Sequence, residues 1–286
     1  MKPLSESTVT IVGLGLMGGS LAGALVGHCR QVIGVDRDTA ALTRARERGF
    51  VDQAVDDLET GVRMADIVVL ATPVRSIIGL VDQVGAWMQP DALLMDLGST
   101  KALILEAMAT LPEHVQVIGG HPMCGKEISG FEAADRDLFQ GRTFILSPLP
   151  RTSDEALSLA ETLVMAAGAQ PLVVDGTRQD YLAGTISHLP YLLACSLVGT
   201  ADATTSPDPL VWQIVAGGYR DTSRVAGSDV TMMVDILMTN REHVTKAAEV
   251  CGELLAELAD LVARGDEQAL RERLTYIRQT RKEHYQ

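Results

Sequence analysis

Short apolar runs of strand length alternate with helix-length periodic stretches through the first 175 residues, and then the alternation stops. The runs fall at 8–12, 31–35, 67–71, 93–97, 115–118, 143–146 and 172–174, with helical stretches at 19–25, 39–48, 75–87, 101–110 and 154–167. Strand and helix alternating in this way predict a mainly parallel sheet with helices on both faces, because each parallel crossover needs a covering helix. From Thr177 onward helical periodicity takes over, which puts a boundary at Asp175–Arg178 and divides the chain into an α/β part, 1–175, and an all-α part, 176–286. The clearest helical pattern starts near Asp229 and stops at Gly265, with Val244, Ala247, Cys251, Leu254, Leu258 and Leu261 at three-and-four spacing. One helix of about 30 residues would be on the order of 45 Å long, more than the second part can cover by itself. A homodimer packed through these C-terminal helices is therefore expected.

The chain has 286 residues, with 24 Lys+Arg against 37 Asp+Glu and a net charge of −13. So acidic a surface excludes nucleic acid and an anionic membrane as main partners. Four cysteines (Cys29, Cys124, Cys195, Cys251) lie too far apart for a metal or redox motif, so no metal is expected and the chain reads as cytoplasmic. Residues 1–7 are short and polar with no basic-then-apolar pattern, so no leader is expected. Residues 182–201 lack any Asp, Glu, Lys or Arg and are long enough to span a bilayer, but Thr185, Ser187, His188, Pro190, Ser196 and Thr200 make a buried helix of a soluble protein the better expectation.

Gly13-Leu-Gly15-Leu16-Met17-Gly18 follows the first strand at once and opens a helix. The first glycine permits the tight turn, the second lets the backbone approach a pyrophosphate, and the third allows close helix-on-strand packing. Asp36 ends the second strand, 21 residues beyond Gly15, where a carboxylate binds ribose hydroxyls and repels a 2′-phosphate. NAD is the expected cofactor; Arg37, the next residue, keeps NADP possible.

Ligands of open α/β sheets lie beyond the carboxyl ends of the strands. Past strand ends come Thr72-Pro73, expected to border the nicotinamide, then Asp96-Leu-Gly-Ser99-Thr-Lys101, then Gly-Gly-His121-Pro-Met-Cys-Gly-Lys126-Glu127. A histidine between a glycine pair and a proline reads as held on a loop, and its ordinary pKa near 6.5 suits proton transfer. Ser99 and His121 beside a hydride acceptor suggest oxidation of an alcohol.

Taken with Ser187-His188-Leu-Pro190 and Gly217-Gly-Tyr-Arg220-Asp221-Thr-Ser-Arg224, these motifs resemble the prephenate/arogenate dehydrogenase family over nearly the whole chain. The resemblance implies a Rossmann-like N-terminal domain, an all-helical dimerisation domain, and NAD(P)-dependent oxidative decarboxylation on the route to tyrosine. It further implies His121 as base on the ring hydroxyl and Ser99 beside it. Arg224 would bind a carboxylate of the dicarboxylate substrate, and His188 and Glu127 would shape the pocket. Tyr191, Met233 and Lys126 depart from residues common in the family, and an inward Lys126 would favour prephenate over arogenate. Cys124, inside the histidine loop, reads as filler. A β-hydroxyacid dehydrogenase and a non-enzymatic dinucleotide-binding module are the remaining alternatives. Because the substrate is an anion, Lys101, Lys126, Arg220 and Arg224 are expected to converge on one cleft.

Overall fold

The computed structural model describes residues 1–206 and 208–284. Eight strands form one sheet: β1 (Thr8–Val12), β2 (Gln31–Val35), β3 (Gln53–Val55), β4 (Ile67–Leu70), β5 (Leu93–Asp96), β6 (Gln116–Pro122), β7 (Thr143–Pro148) and β8 (Gln170–Val173). Their order is β3-β2-β1-β4-β5-β6-β7-β8, and every neighbouring pair is parallel except β6–β7. β1, β4 and β5 are buried along their whole length, as continuous Val/Ile/Leu runs in a two-sided parallel sheet must be. One face packs against α1 (Leu16–Leu25) and the other against helices that include α4 (Val74–Trp87) and α5 (Ala102–Ala109). Also in this part are α2 (Thr39–Glu47), α3 (Leu58–Arg63) and α6 (Asp154–Ala166). The order reverses at β1, whose neighbours β2 and β4 leave a crevice at their carboxyl ends.

Two details differ from expectation. β3 carries no sequence signal, because it is only three half-buried residues at the sheet edge. His121 sits on β6 and not on a loop. Antiparallel pairing with β7 extends β6 to Pro122, matching His121 with Ile145 and Pro122 with Phe144.

Past β8 the chain is helical: α7 (Gly176–Ala183), a π-helical turn (Gly184–His188), α8 (Leu189–Thr205), α9 (Leu210–Gln213), α10 (Gly217–Ser223), α11 (Val230–Thr239), α12 (Arg241–Arg264) and α13 (Glu267–His284). Gly265 ends α12 in the left-handed conformation, φ 68°, a common helix stop. The single helix expected from Asp229 to Gly265 is two helices. Asn240 breaks it with φ −124° and ψ 31°, and its side chain turns inward to bond Asp180 and His188. The apolar run expected to be a buried helix is mostly uncovered in the single chain. Of its most apolar 18-residue window within Gly176–Thr205 only 22% is buried, and Ile186 is 65% exposed. Lack of charge therefore marks a face that this chain does not itself cover. The helical part docks on the start of α4 through Asp235 of α11, which accepts from the Arg75 backbone N at 3.3 Å and pairs with its Nε at 3.5 Å.

Candidate active site

The glycine turn is built as a cradle for an anion. Gly13 has φ 96°, and a Cβ there would lie 2.9 Å from Thr72 Cγ2 and 3.0 Å from the Ala71 carbonyl. At Gly18 a Cβ would meet the Gly13 oxygen at 1.9 Å, so only glycine lets α1 sit this close to the turn. A Cβ on Gly15 would meet nothing within 4 Å, so the space above it is open. Gly15 is also the N-cap of α1 and brings no capping side chain, which leaves the first N–H groups of Leu16, Met17 and Gly18 and the helix dipole to face that space. Asp36 is tied to the same turn. Its Oδ2 accepts from Leu14 N at 2.6 Å and its Oδ1 from Asp38 N at 2.9 Å. Those bonds leave acceptor capacity on both oxygens for ribose hydroxyls. Arg37 is exposed and makes no ion pair among the described residues. Thr72 and Pro73 follow β4 beside the turn; the Thr72 methyl packs against Gly13, and its hydroxyl is buried with no partner among the described residues. These residues fit a dinucleotide.

His121 and Ser99 lie at the same sheet edge, at the carboxyl ends of β6 and β5. His121 is only 7% exposed, and its Nδ1 meets Gln179 Nε2 of α7 at 2.8 Å. The same Nε2 donates to the Ser99 carbonyl at 3.2 Å, so one carboxamide ties both residues together. Among the described residues no group bonds the other imidazole nitrogen, Nε2, which is left for a ligand. Burial, with the Lys101 charge and His188 adding to it, pushes the His121 pKa down to about 3. The ordinary value near 6.5 expected for a loop histidine does not apply, and the imidazole is neutral throughout the physiological range.

His188 is built in the same way. Its Nδ1 lies 3.1 Å from Asn240 Nδ2, its Nε2 is buried without a partner, and burial lowers its pKa to about 4. It is the last residue of the π turn, a local distortion that often accompanies a functional residue. Asn240 also donates to the Asp180 carbonyl at 2.7 Å. The Asp180 carboxylate in turn caps α5, accepting from Lys101 N at 2.6 Å and Ala102 N at 2.8 Å. Sequence reasoning missed Gln179, Asp180 and Asn240. The first two stand close before Ser187-His188, in the polar stretch Thr177-Arg-Gln-Asp180, where nothing in the sequence sets them apart.

The expected cluster of cations does not form. Lys101 is fully buried, pairs with Asp96 and donates to the Gly120 carbonyl at 2.8 Å, so it faces inward beneath the site. Desolvation pushes the Lys101 pKa down and that of Asp96 up, while Gly98 N and Gly120 N also donate to the carboxylate. Lys126 likewise points elsewhere, bonding Asp135 at 3.1 Å and the Ala133 carbonyl at 3.4 Å. Arg224 remains exposed at 60% and pairs with Glu127, joining the loop after β6 to the short turn after α10. Glu127 thus faces Arg224, a placement that positions the guanidinium fork. Arg220 is exposed on α10. Burial lifts the Cys124 thiol to about 11, against any role as a thiolate nucleophile.

Known families match both parts of the chain. The family described as "Prephenate dehydrogenase, nucleotide-binding domain" matches residues 21–173, and "Prephenate dehydrogenase, dimerization domain" matches 175–276. The prephenate dehydrogenase of Lactococcus lactis subsp. cremoris is 35% identical over 267 residues, covering 92% of this chain and 73% of that protein. That of Bacillus subtilis is 32% identical over 243 residues, covering 84% of this chain; the alignment spans 66% of its length. The crystal structure of prephenate dehydrogenase from Aquifex aeolicus in complex with hydroxyphenyl propionate and NAD+ superposes with a TM-score of 0.91 at 31% identity, covering 99% of both chains.

Proposed function

This chain belongs to the prephenate dehydrogenase family, and from that premise we propose that it oxidises and decarboxylates prephenate to 4-hydroxyphenylpyruvate with NAD+. The observation that carries the reading is the buried, neutral His121 with a free Nε2, on the same sheet edge as the open cradle above Gly15. Bound at Gly13, Gly15, Leu16, Met17, Gly18, Asp36, Thr72 and Pro73, NAD+ would take the hydride from the hydroxyl-bearing ring carbon. The chain's own residues orient the ring and manage one proton. His121 and Ser99 hold the ring hydroxyl, and His121 receives its proton. His188, a buried donor with an unpartnered Nε2, lines the same pocket. Arg224 binds a substrate carboxylate, since a guanidinium fork suits that geometry and keeps its charge. Loss of carbon dioxide then yields an aromatic ring, which drives the reaction forward.

The family match over both domains sets aside the hydroxyacid dehydrogenase and the non-enzymatic readings. Arogenate remains the second substrate. An inward Lys126 would disfavour the arogenate ammonium, but Lys126 is bonded to Asp135. A spectrophotometric assay crossing prephenate and arogenate with NAD+ and NADP+ tests both readings. We expect turnover with prephenate and NAD+; none with any of the four pairs would overturn the assignment.

The assembly follows from the uncovered helices. Ile186, Leu255 and Val262 are each at least 64% exposed in the single chain, too much apolar surface to leave in water at full length. We place a second copy on this face, giving a homodimer in the cytoplasm. Light scattering at micromolar concentration should read twice the 30.6 kDa chain mass, and a clean monomer would reject the dimer.

A further inference from the structure

We propose that Gln179 is a positioning residue whose carboxamide orientation decides which nitrogen of His121 carries the proton. The inference rests on the reading of His121 as the group that contacts the ring hydroxyl. A neutral imidazole has one N–H, and Gln179 has one donating and one accepting end. As the amide lies, its NH2 donates to both Ser99 O, at 3.2 Å, and His121 Nδ1, at 2.8 Å. Its Oε1 is buried and has no partner. The reverse orientation would set Oε1 against the Ser99 carbonyl oxygen, so the Ser99 backbone fixes the resting amide. Nδ1 is then an acceptor, and the proton sits on Nε2, facing the ligand. Resting His121 is therefore a donor that binds the hydroxyl oxygen.

To accept the hydroxyl proton, Nε2 must give its own hydrogen to water while Nδ1 takes a proton back from water, an exchange that leaves the imidazole neutral. An Nδ1–H repels the NH2 of Gln179 but bonds Oε1 if the amide turns by a half rotation, which gives up the donation to Ser99 O and sets Oε1 against that carbonyl. With Oε1 in place, the hydroxyl O–H breaks, an N–H forms at Nε2, and the resulting imidazolium keeps an acceptor at each end. Gln179 thus also sets basicity, since the resting orientation disfavours the imidazolium. The other charged or titratable groups around the ring are Lys101 with its partner Asp96 beneath it, His188 from the π turn, and Asp180, which faces the backbone of Lys101 and Ala102. None of them accepts a hydrogen bond from Nδ1.

Long-range 1H–15N correlation spectra of 15N-histidine-labelled protein read the tautomer directly, with His121→Asn used to assign the signal. In the wild type at neutral pH the expected form is Nε2–H. Gln179→Glu offers only acceptors, so it should switch His121 to Nδ1–H and raise the acid limb of kcat/KM by at least about one pH unit. Gln179→Leu offers neither group and should lower kcat by about 10–100-fold with KM changed less than about threefold. An Nδ1–H tautomer in the free wild type would overturn the proposal, as would a Gln179→Glu variant with an unchanged tautomer and acid limb. The spectra need no turnover, so a failure of the assigned activity would be seen separately in the wild-type assay.

Discussion

Replacing Lys101 by methionine should cost about 3–5 kcal/mol of stability, the usual effect of removing one half of a buried ion pair. The two side chains are completely buried, and Asp96 takes hydrogen bonds from Gly98 N at 2.7 Å and Gly120 N at 3.2 Å. Without the ammonium, the carboxylate either stays charged in a dry site or takes up a proton and clashes with those donors. The pair also holds the β5 and β6 ends together, because Lys101 reaches the Gly120 carbonyl next to His121. Urea unfolding followed by far-UV circular dichroism measures the loss. The double variant Asp96→Leu/Lys101→Met should recover only part of it, since an apolar pair leaves no orphaned charge but strips Gly98 N, Gly120 N and the Gly120 carbonyl of their partners. A single variant within about 1 kcal/mol of the wild type would show that the pair does not stabilise this edge. A second consequence separates the charge from the packing. Lys101 helps to depress the His121 pKa, so that pKa should rise in folded Lys101→Met protein.

The glycine turn and the list of strand ends were legible because both depend on local chemistry and on one general property of parallel sheets. Gly13 and Gly18 have no room for a side chain, the space above Gly15 is open, and Ser99 and His121 lie at one sheet edge. The partners of the site residues were not legible. Gln179 is 58 residues from His121, Asn240 is 52 from His188, and Asp180 is 79 from Lys101. No periodicity marks such pairs, since their side chains act only after the helical part has docked. The same limit explains the break at Asn240: its neighbours favour one continuous helix, and two long-range hydrogen bonds override them. Counting cations near motifs misled for a related reason. Lys101 and Lys126 are consumed by Asp96 and Asp135, which leaves arginine to offset a net charge of −13.

Replacing His121 by asparagine should lower kcat by about 10³-fold, within the range for loss of a positioned acid–base group, with little change in substrate affinity. The same change should make the protein more resistant to acid. Native His121 has a pKa of about 3, while the unfolded chain carries an ordinary histidine near 6.5. Between these values the unfolded state binds a proton that the native state refuses, so stability is complete above about pH 6.5 and falls as pH drops towards 3. From pH 7 to pH 5 this histidine alone removes about 2 kcal/mol. His188, lowered to about 4, adds a loss of the same sign. His121→Asn abolishes the first contribution and keeps the second, so its stability should fall less steeply over that interval. Urea midpoints at the two pH values test the point, together with single-turnover rates at neutral pH. Parallel acid profiles for the two proteins would mean that His121 is protonated in the native state. Its low basicity also has a mechanistic consequence: the proton moves because hydride departure and aromatisation make the hydroxyl acidic, and His121 supplies a positioned acceptor.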